Sequence, residues 1–348
     1  MIFILIPAIL TLFIGIRYRK KDDVNSYMAK EGTTSICGLF ALLVFFSHFN
    51  GYPELSSFNQ FDLLARDTSS ALGQLVVVPF LFFSGYGIFE QIKSRGDGYI
   101  KSLPKNRIFK IYLMFLFAWV FFFILALVFN SNYSVRHYVS SVFGITSIGN
   151  SNWYVVVIIA LYFSTYLSFK VSSDKKVALI INLLLGTLLY FILKNQKDLD
   201  SSWWNTIFAY LAGLVYSTFK EKILAIYQKY NWTRIVSLII VVGLTAGFGL
   251  LNFIYPNDLL YALMIICFAL ILPSLLANFK IGNKFLLTLG KYTFWIYILQ
   301  RIPMIIFSYV PYIRNSIYLY FVICLITTAL LAVLIDKLFN KIWSKITK

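Results

Sequence analysis

Apolar runs of 17 or more residues recur along the whole chain, each long enough to cross a hydrocarbon core of about 30 Å. Hydrophobic residues make up 59% of the 348 residues and charged ones only 13%, about half the charge of a soluble domain. No run shows the two-residue alternation of an outer-membrane barrel strand. The fold class is therefore all-α, a polytopic transmembrane helix bundle. Eleven spans are predicted, at roughly 2–16, 35–50, 70–92, 109–129, 153–169, 177–193, 203–219, 235–255, 258–277, 285–310 and 316–336.

The net charge of +17 invites a nucleic-acid reading, but the positions of the charges exclude it. Counted over alternate connections, one side of the membrane carries 25 Lys and Arg and the other carries 6. The basic excess is thus mainly a topology signal. It places the N-terminus outside and the C-terminus in the cytoplasm of a multi-pass cell-membrane protein. Contact with anionic lipid headgroups or an anionic cytosolic ligand is a secondary use of the same charge. Cys37, Cys267 and Cys324 lie in apolar spans, without metal-like spacing or a disulfide framework. Residues 1–16 carry no basic leader and no small-residue cleavage site, so they read as a retained helix. There is no P-loop, HExxH or GxSxG, so ATP-driven transport and the common hydrolases lack a sequence basis.

His48 is the first residue with chemistry to offer. It is one of only two histidines and ends the apolar segment SICGLFALLVFFSHF, 35–49. An ionisable group at membrane depth is costly, and His is the side chain best suited to exchange a proton near neutral pH. The bland alternative is a neutral His hydrogen-bonded inside the bundle. Cys37 lies eleven residues earlier on the same helix face, about 16 Å away. In VVVPFLFFSGYGIFEQIK, 76–93, Pro79 can kink the helix, and Ser84 and Gly85 leave room for something slender. Glu90 is expected to pair with a nearby cation, Arg107 being the candidate. Arg107 and Lys110 in KSLPKNRIFKIY sit one turn apart where a helix enters the membrane, which suits phosphate binding.

In order, these segments resemble the membrane acyltransferase-3 family, whose members transfer acyl groups to cell-surface sugars and related acceptors. The family's Arg-x10-His helix is matched with His48 kept and Cys37 in place of the Arg. FFSGYGI matches the apolar-Ser-Gly-aromatic block through Ser84, Gly85 and Tyr86. RIFKIY keeps Arg107 and has Lys110 for a second Arg. NSNWYVVVIIALYF resembles the Trp-bearing helix, with Trp153, and WWNTIFAYLAGLVYS the helix ending in a Gly turn. LGKYTFWIYILQRIPM matches the late block that usually carries a His. Here Gln300 takes that place and Arg301 follows.

The resemblance covers about 33–336. It implies a ten-helix acyltransferase core over 33–348, preceded by an additional helix and cytoplasmic connection over 1–32. The implied activity is an O-acyltransferase, most simply an O-acetyltransferase, acting on a lipid-linked or exported polysaccharide. No tightly bound cofactor is implied; acetyl-CoA is the acyl-donor substrate, a glycan the acceptor, and membrane lipids the surroundings. His48 would act as general base, with Arg107, Lys110, Ser84, Gly85 and Tyr86 on the donor, and Trp153, Gln300 and Arg301 on the acceptor or tunnel side. Each has a plainer reading. Ser84-Gly85 would be a close helix crossing, Arg107 and Lys110 topology anchors, Trp153 an interfacial anchor and His137 a solvated loop residue. Competing classes are another membrane acyltransferase with a buried His, a glycan or lipid flippase, and a structural subunit. A flippase predicts inverted repeats or broken helix pairs, which the sequence does not show.

Overall fold

The computed structural model describes residues 16–54 and 58–347, together with Leu10 and Ile14. It is a helix bundle, as a lipid-embedded chain must be when each backbone donor has to find its acceptor within its own segment. The predicted span 2–16 lies almost wholly outside the described residues.

Among the described residues, eight helical stretches are long and apolar enough to cross a membrane. They contain α1 (Lys30–Phe49), α2 (Gln60–Leu72) leading into α3 (Val78–Arg95), and α4 (Asp97–Leu103) leading into α5 (Lys110–Val128). After the short α6 (Val135–Val142) come α7 (Trp153–Val171) and α8 (Lys175–Lys194). The next helix, α9 (Ile207–Lys229), overlaps the predicted span 203–219 but starts four residues later, runs ten residues further and is not among the eight. The hairpin α10 (Trp232–Ile254) and α11 (Asp258–Asn278) follows. The predicted span 285–310 is broken into α12 (Lys284–Lys291), α13 (Thr293–Leu299) and α14 (Arg301–Ser308). One cause of the second break is Pro303, which has no N–H to offer the Leu299 carbonyl four residues earlier. Arg301, expected deep within one long helix, is instead the first residue of α14. A short turn, α15 (Pro311–Arg314), precedes α16 (Ile317–Ile346). The two strands, β1 (Arg17–Tyr18) and β2 (Phe279–Lys280), form a single antiparallel pair.

Pro79 does not kink its helix. It falls in the first turn of α3, where its missing N–H has no intrahelical acceptor to disappoint. Two helix crossings instead rest on glycine. A Cβ on Gly85 of α3 would collide with the Tyr210 carbonyl, and one on Gly213 of α9 would collide with that of Phe82. Likewise Gly38 of α1 lies against the Leu286 carbonyl, and Gly290 of α12 against that of Thr34. Small residues let membrane helices approach backbone to backbone, where dispersion and weak C–H···O contacts replace the hydrophobic drive that lipid cannot supply. These crossings fix α1, α3, α9 and α12 around one interior space.

The N-terminal strand is tied down by two buried arginines. Arg234 donates to the backbone oxygens of Arg19 (2.9 Å) and Ala277 (3.1 Å). Arg19 Nε donates to the Leu276 carbonyl at 2.8 Å. Carbonyl dipoles thus solvate both charges at the end of α11.

Candidate active site

The glycine-set crossings enclose a cavity of about 880 Å³. On α1 it is lined from Lys30 to Cys37, on α3 from Gln91 back to Phe80, and from Lys291 at the end of α12 to Tyr297 on α13. These are runs of two to three helical turns, on the order of 10–15 Å. The lining changes character along them. One end carries Lys30, Arg107, Lys110, Lys220 and Lys291; the other carries Cys37, Ser84, Tyr154 and Tyr297.

The basic end is built by an irregular helix. Residues Pro104–Phe109 form a π-helical segment between α4 and α5, a widened geometry that concentrates at functional sites. It presents Asn106 and Arg107, and Lys110 follows at the start of α5. Arg107 Nε donates to the Tyr99 hydroxyl at 3.2 Å, and Lys110 Nζ sits 5.7 Å over the Trp343 ring. Glu90 does not pair with Arg107. It bonds Lys93, Lys220 (3.1 Å) and the Ser217 hydroxyl (2.6 Å). Among the described residues, Lys30, Arg107, Lys110 and Lys291 have no carboxylate within ion-pair distance. Four cations thus face one cavity without a direct ion pair among the described residues, although Glu90 also lines it and Asp336 acts on Lys110 from a distance; a cluster of this charge suits a polyanion.

At the far end, Ser84 lies beside the hydroxyls of Tyr154 and Tyr162. The Tyr297 ring packs 5.1 Å from Tyr154 and 6.0 Å from the His48 imidazole, centroid to centroid. Tyr297 lines the cavity and His48 does not. Because α1 starts at Lys30, five residues before the predicted span, His48 lies about 27 Å from the start of its helix. Gln300 Nε2 donates to the Tyr297 carbonyl at 3.0 Å and lies 2.8 Å from His48 Nδ1. Gln300 is fully buried. Arg301 lies within electrostatic reach of His48, Tyr52 and Tyr297.

A set of polar atoms here is buried without a partner: Tyr297 Oη, Gln300 Oε1, Arg301 Nε and Ser151 Oγ. The Ser151 hydroxyl and the Tyr154 backbone lie beside the Tyr297 hydroxyl without a well-directed bond to it. Each such atom costs about 1–3 kcal/mol if left unsatisfied. Tyr297, Gln300 and Arg301 neighbour the His48 imidazole, so these are groups that water or a polar ligand would satisfy.

The structure therefore brings Ser84, Tyr86, Arg107 and Lys110 to the cavity, and joins His48, Gln300 and Arg301 just beyond it. Gly85 faces Tyr210, and its small size serves the α3–α9 crossing. Trp153 opens α7 and packs on Tyr154 outside the lining. His137 lies in α6, its Nε2 2.9 Å from the Ser147 carbonyl. Sequence reading overlooked Tyr297, Tyr154, Lys30, Lys220 and Lys291. Tyr297 alone left a trace, three residues before Gln300 on one helical turn.

The fold and this cavity define a multi-pass membrane protein with an internal basic cavity that ends beside a buried histidine. The family model described as an acyltransferase domain matches residues 38–337, and the chain belongs to that acyltransferase family. No curated protein and no solved structure matches it. The activity is accordingly that of a membrane acyltransferase.

Proposed function

We propose that this acyltransferase moves an acetyl group from acetyl-CoA to a hydroxyl of a cell-surface or lipid-linked polysaccharide. One observation supports the reading: a cavity with four cations free of direct ion pairs among the described residues at one end reaches Tyr297, beside the His48–Gln300 pair. The nucleotide phosphates of the donor would rest on Arg107 and Lys110, with Lys30 and Lys291 adding charge. The pantetheine arm would pass Ser84 and Tyr86 and bring the thioester to Tyr297. With 25 basic residues on one side and 6 on the other, the donor would enter from the cytoplasm.

The acceptor would approach from the opposite side, past Gln300, Arg301 and Ser151. Their unpartnered donors and acceptors are what hydroxyl groups, each both donor and acceptor, can satisfy. The acceptor oxygen attacks the thioester carbonyl carbon, the C–S bond breaks, and an ester and a free thiol result. His48 is the proposed catalytic residue at this junction.

Transfer of labelled acetyl from acetyl-CoA to glycan, in membranes carrying the wild-type chain or His48→Ala, tests the reading. Loss of about 10²–10⁴-fold is expected for His48→Ala. Transfer that survives this substitution at full rate overturns it.

A further inference from the structure

We propose that Gln300 is a positioning residue that sets the tautomer of His48. It holds the ring proton on Nε2, so that His48 meets the acyl donor as a hydrogen-bond donor and not as a base. This rests on the acyl-transfer reading above.

The carboxamide of Gln300 has a fixed orientation. Its nitrogen lies 3.0 Å from the Tyr297 carbonyl oxygen and 2.8 Å from His48 Nδ1. A carbonyl oxygen only accepts, so the amide atom facing it must be the nitrogen; a rotated amide would set Oε1 against it. A carboxamide nitrogen only donates. His48 Nδ1 therefore accepts, and the single proton of the neutral ring resides on Nε2. Gln300 is fully buried, and its Oε1 has no partner that would draw the amide round. His48 Nε2, in contrast, bonds to no protein atom among the described residues and is not among the atoms closed off from solvent. The free N–H is thus the edge of the ring open to a substrate.

A neutral imidazole presenting N–H polarises a carbonyl, a role documented for histidines held in one tautomer. Here Nε2–H would bond the thioester oxygen as negative charge builds on it. The acceptor oxygen adds to the carbonyl carbon, the C–S bond breaks, and the hydroxyl proton ends on the departing sulfur. His48 keeps its own proton throughout.

The test uses the full chain, labelled with ¹⁵N-histidine, in detergent micelles. The sequence holds only two histidines, and a His137→Gln companion assigns the His48 signals. At neutral pH, wild type should show a lone pair on Nδ1 and N–H on Nε2. Gln300→Glu, whose carboxylate can only accept from Nδ1–H, should reverse them. In labelled acetyl transfer, Gln300→Glu should lower kcat by about 10²–10³-fold with the donor KM unchanged. His48→Gln, which keeps a donor near the Nε2 position but cannot take up a proton, should exceed His48→Ala. Nδ1–H in wild type, wild-type transfer by Gln300→Glu, or equal inactivity of His48→Gln and His48→Ala each overturns the proposal. If Gln300→Glu does not fold, the wild-type spectrum and the His48 pair still decide it. Nε2–H in a wild-type protein that transfers no acetyl would instead sink the functional reading and leave the tautomer assignment standing.

Discussion

The Tyr297 ring lies 6.0 Å from the His48 imidazole while also lining the basic cavity. One side chain thus stands at the junction of the cavity and the histidine. Its hydroxyl lies beside Ser151 and the Tyr154 backbone without a well-directed bond to either, so Tyr297→Phe should cost little stability. Tyr297→Ala should cost about 3–5 kcal/mol, as large-to-small core changes do, and should let water reach the thioester. The expected outcome is thiol release in excess of ester formed. Thiol trapping alongside labelled acetyl measures both products, and unchanged coupling in Tyr297→Ala would refute this role.

Donor affinity should depend on the π-helical segment. Arg107 and Lys110 face the cavity without a carboxylate partner among the described residues. A charge-assisted hydrogen bond contributes about 1.5–3 kcal/mol, roughly 10–100-fold in binding. Changing both residues to Gln should therefore raise the KM for acetyl-CoA by at least about tenfold, with kcat little changed, since the phosphates lie far from the reacting carbonyl. Steady-state kinetics on purified protein decide this; an unaltered KM would reduce the pair to topology anchors.

Folding should hinge on the α3–α9 crossing. A side chain on Gly85 or Gly213 has no room, because backbone carbonyls stand where the Cβ would go. Gly85→Val should yield little monodisperse protein on size exclusion. Gly87→Ala, two residues along the same helix and with nothing within 4 Å of the added carbon, should be as stable as wild type or slightly more so. A well-folded Gly85→Val would show that the two helices are free to separate.

Orientation follows from the division of 25 basic residues against 6. A reporter joined after Lys348 should behave as cytoplasmic. An external signal from that fusion would invert the proposed sides of donor and acceptor.

The helices themselves were legible in the sequence because an apolar run of sufficient length has few alternatives in lipid. Arg107 and Lys110 stood out as adjacent cations at a helix entrance and His48 as a costly group in an apolar run; the structure puts the first two on the cavity and His48 beside it. Glu90 does pair with a nearby cation, Lys93 one turn away, but its second partner is Lys220, 130 residues distant, and not Arg107; nothing local in the sequence selects Lys220 over Arg107. Pro79 and Pro303 show the same limit, since a proline opens one helix and breaks another according to where each begins.

Composition, apolar length and the side carrying Lys and Arg by themselves determined a multi-pass helical chain, and its order of short motifs pointed to acyl transfer. These properties are local or additive along the chain, so they survive without coordinates. Only the tertiary structure decided that Tyr297 lines the cavity beside His48, that Gly85 serves a crossing, and that Gln300 holds His48 across 252 positions of sequence. Such relations depend on which helix faces meet, and that is settled by packing between distant segments.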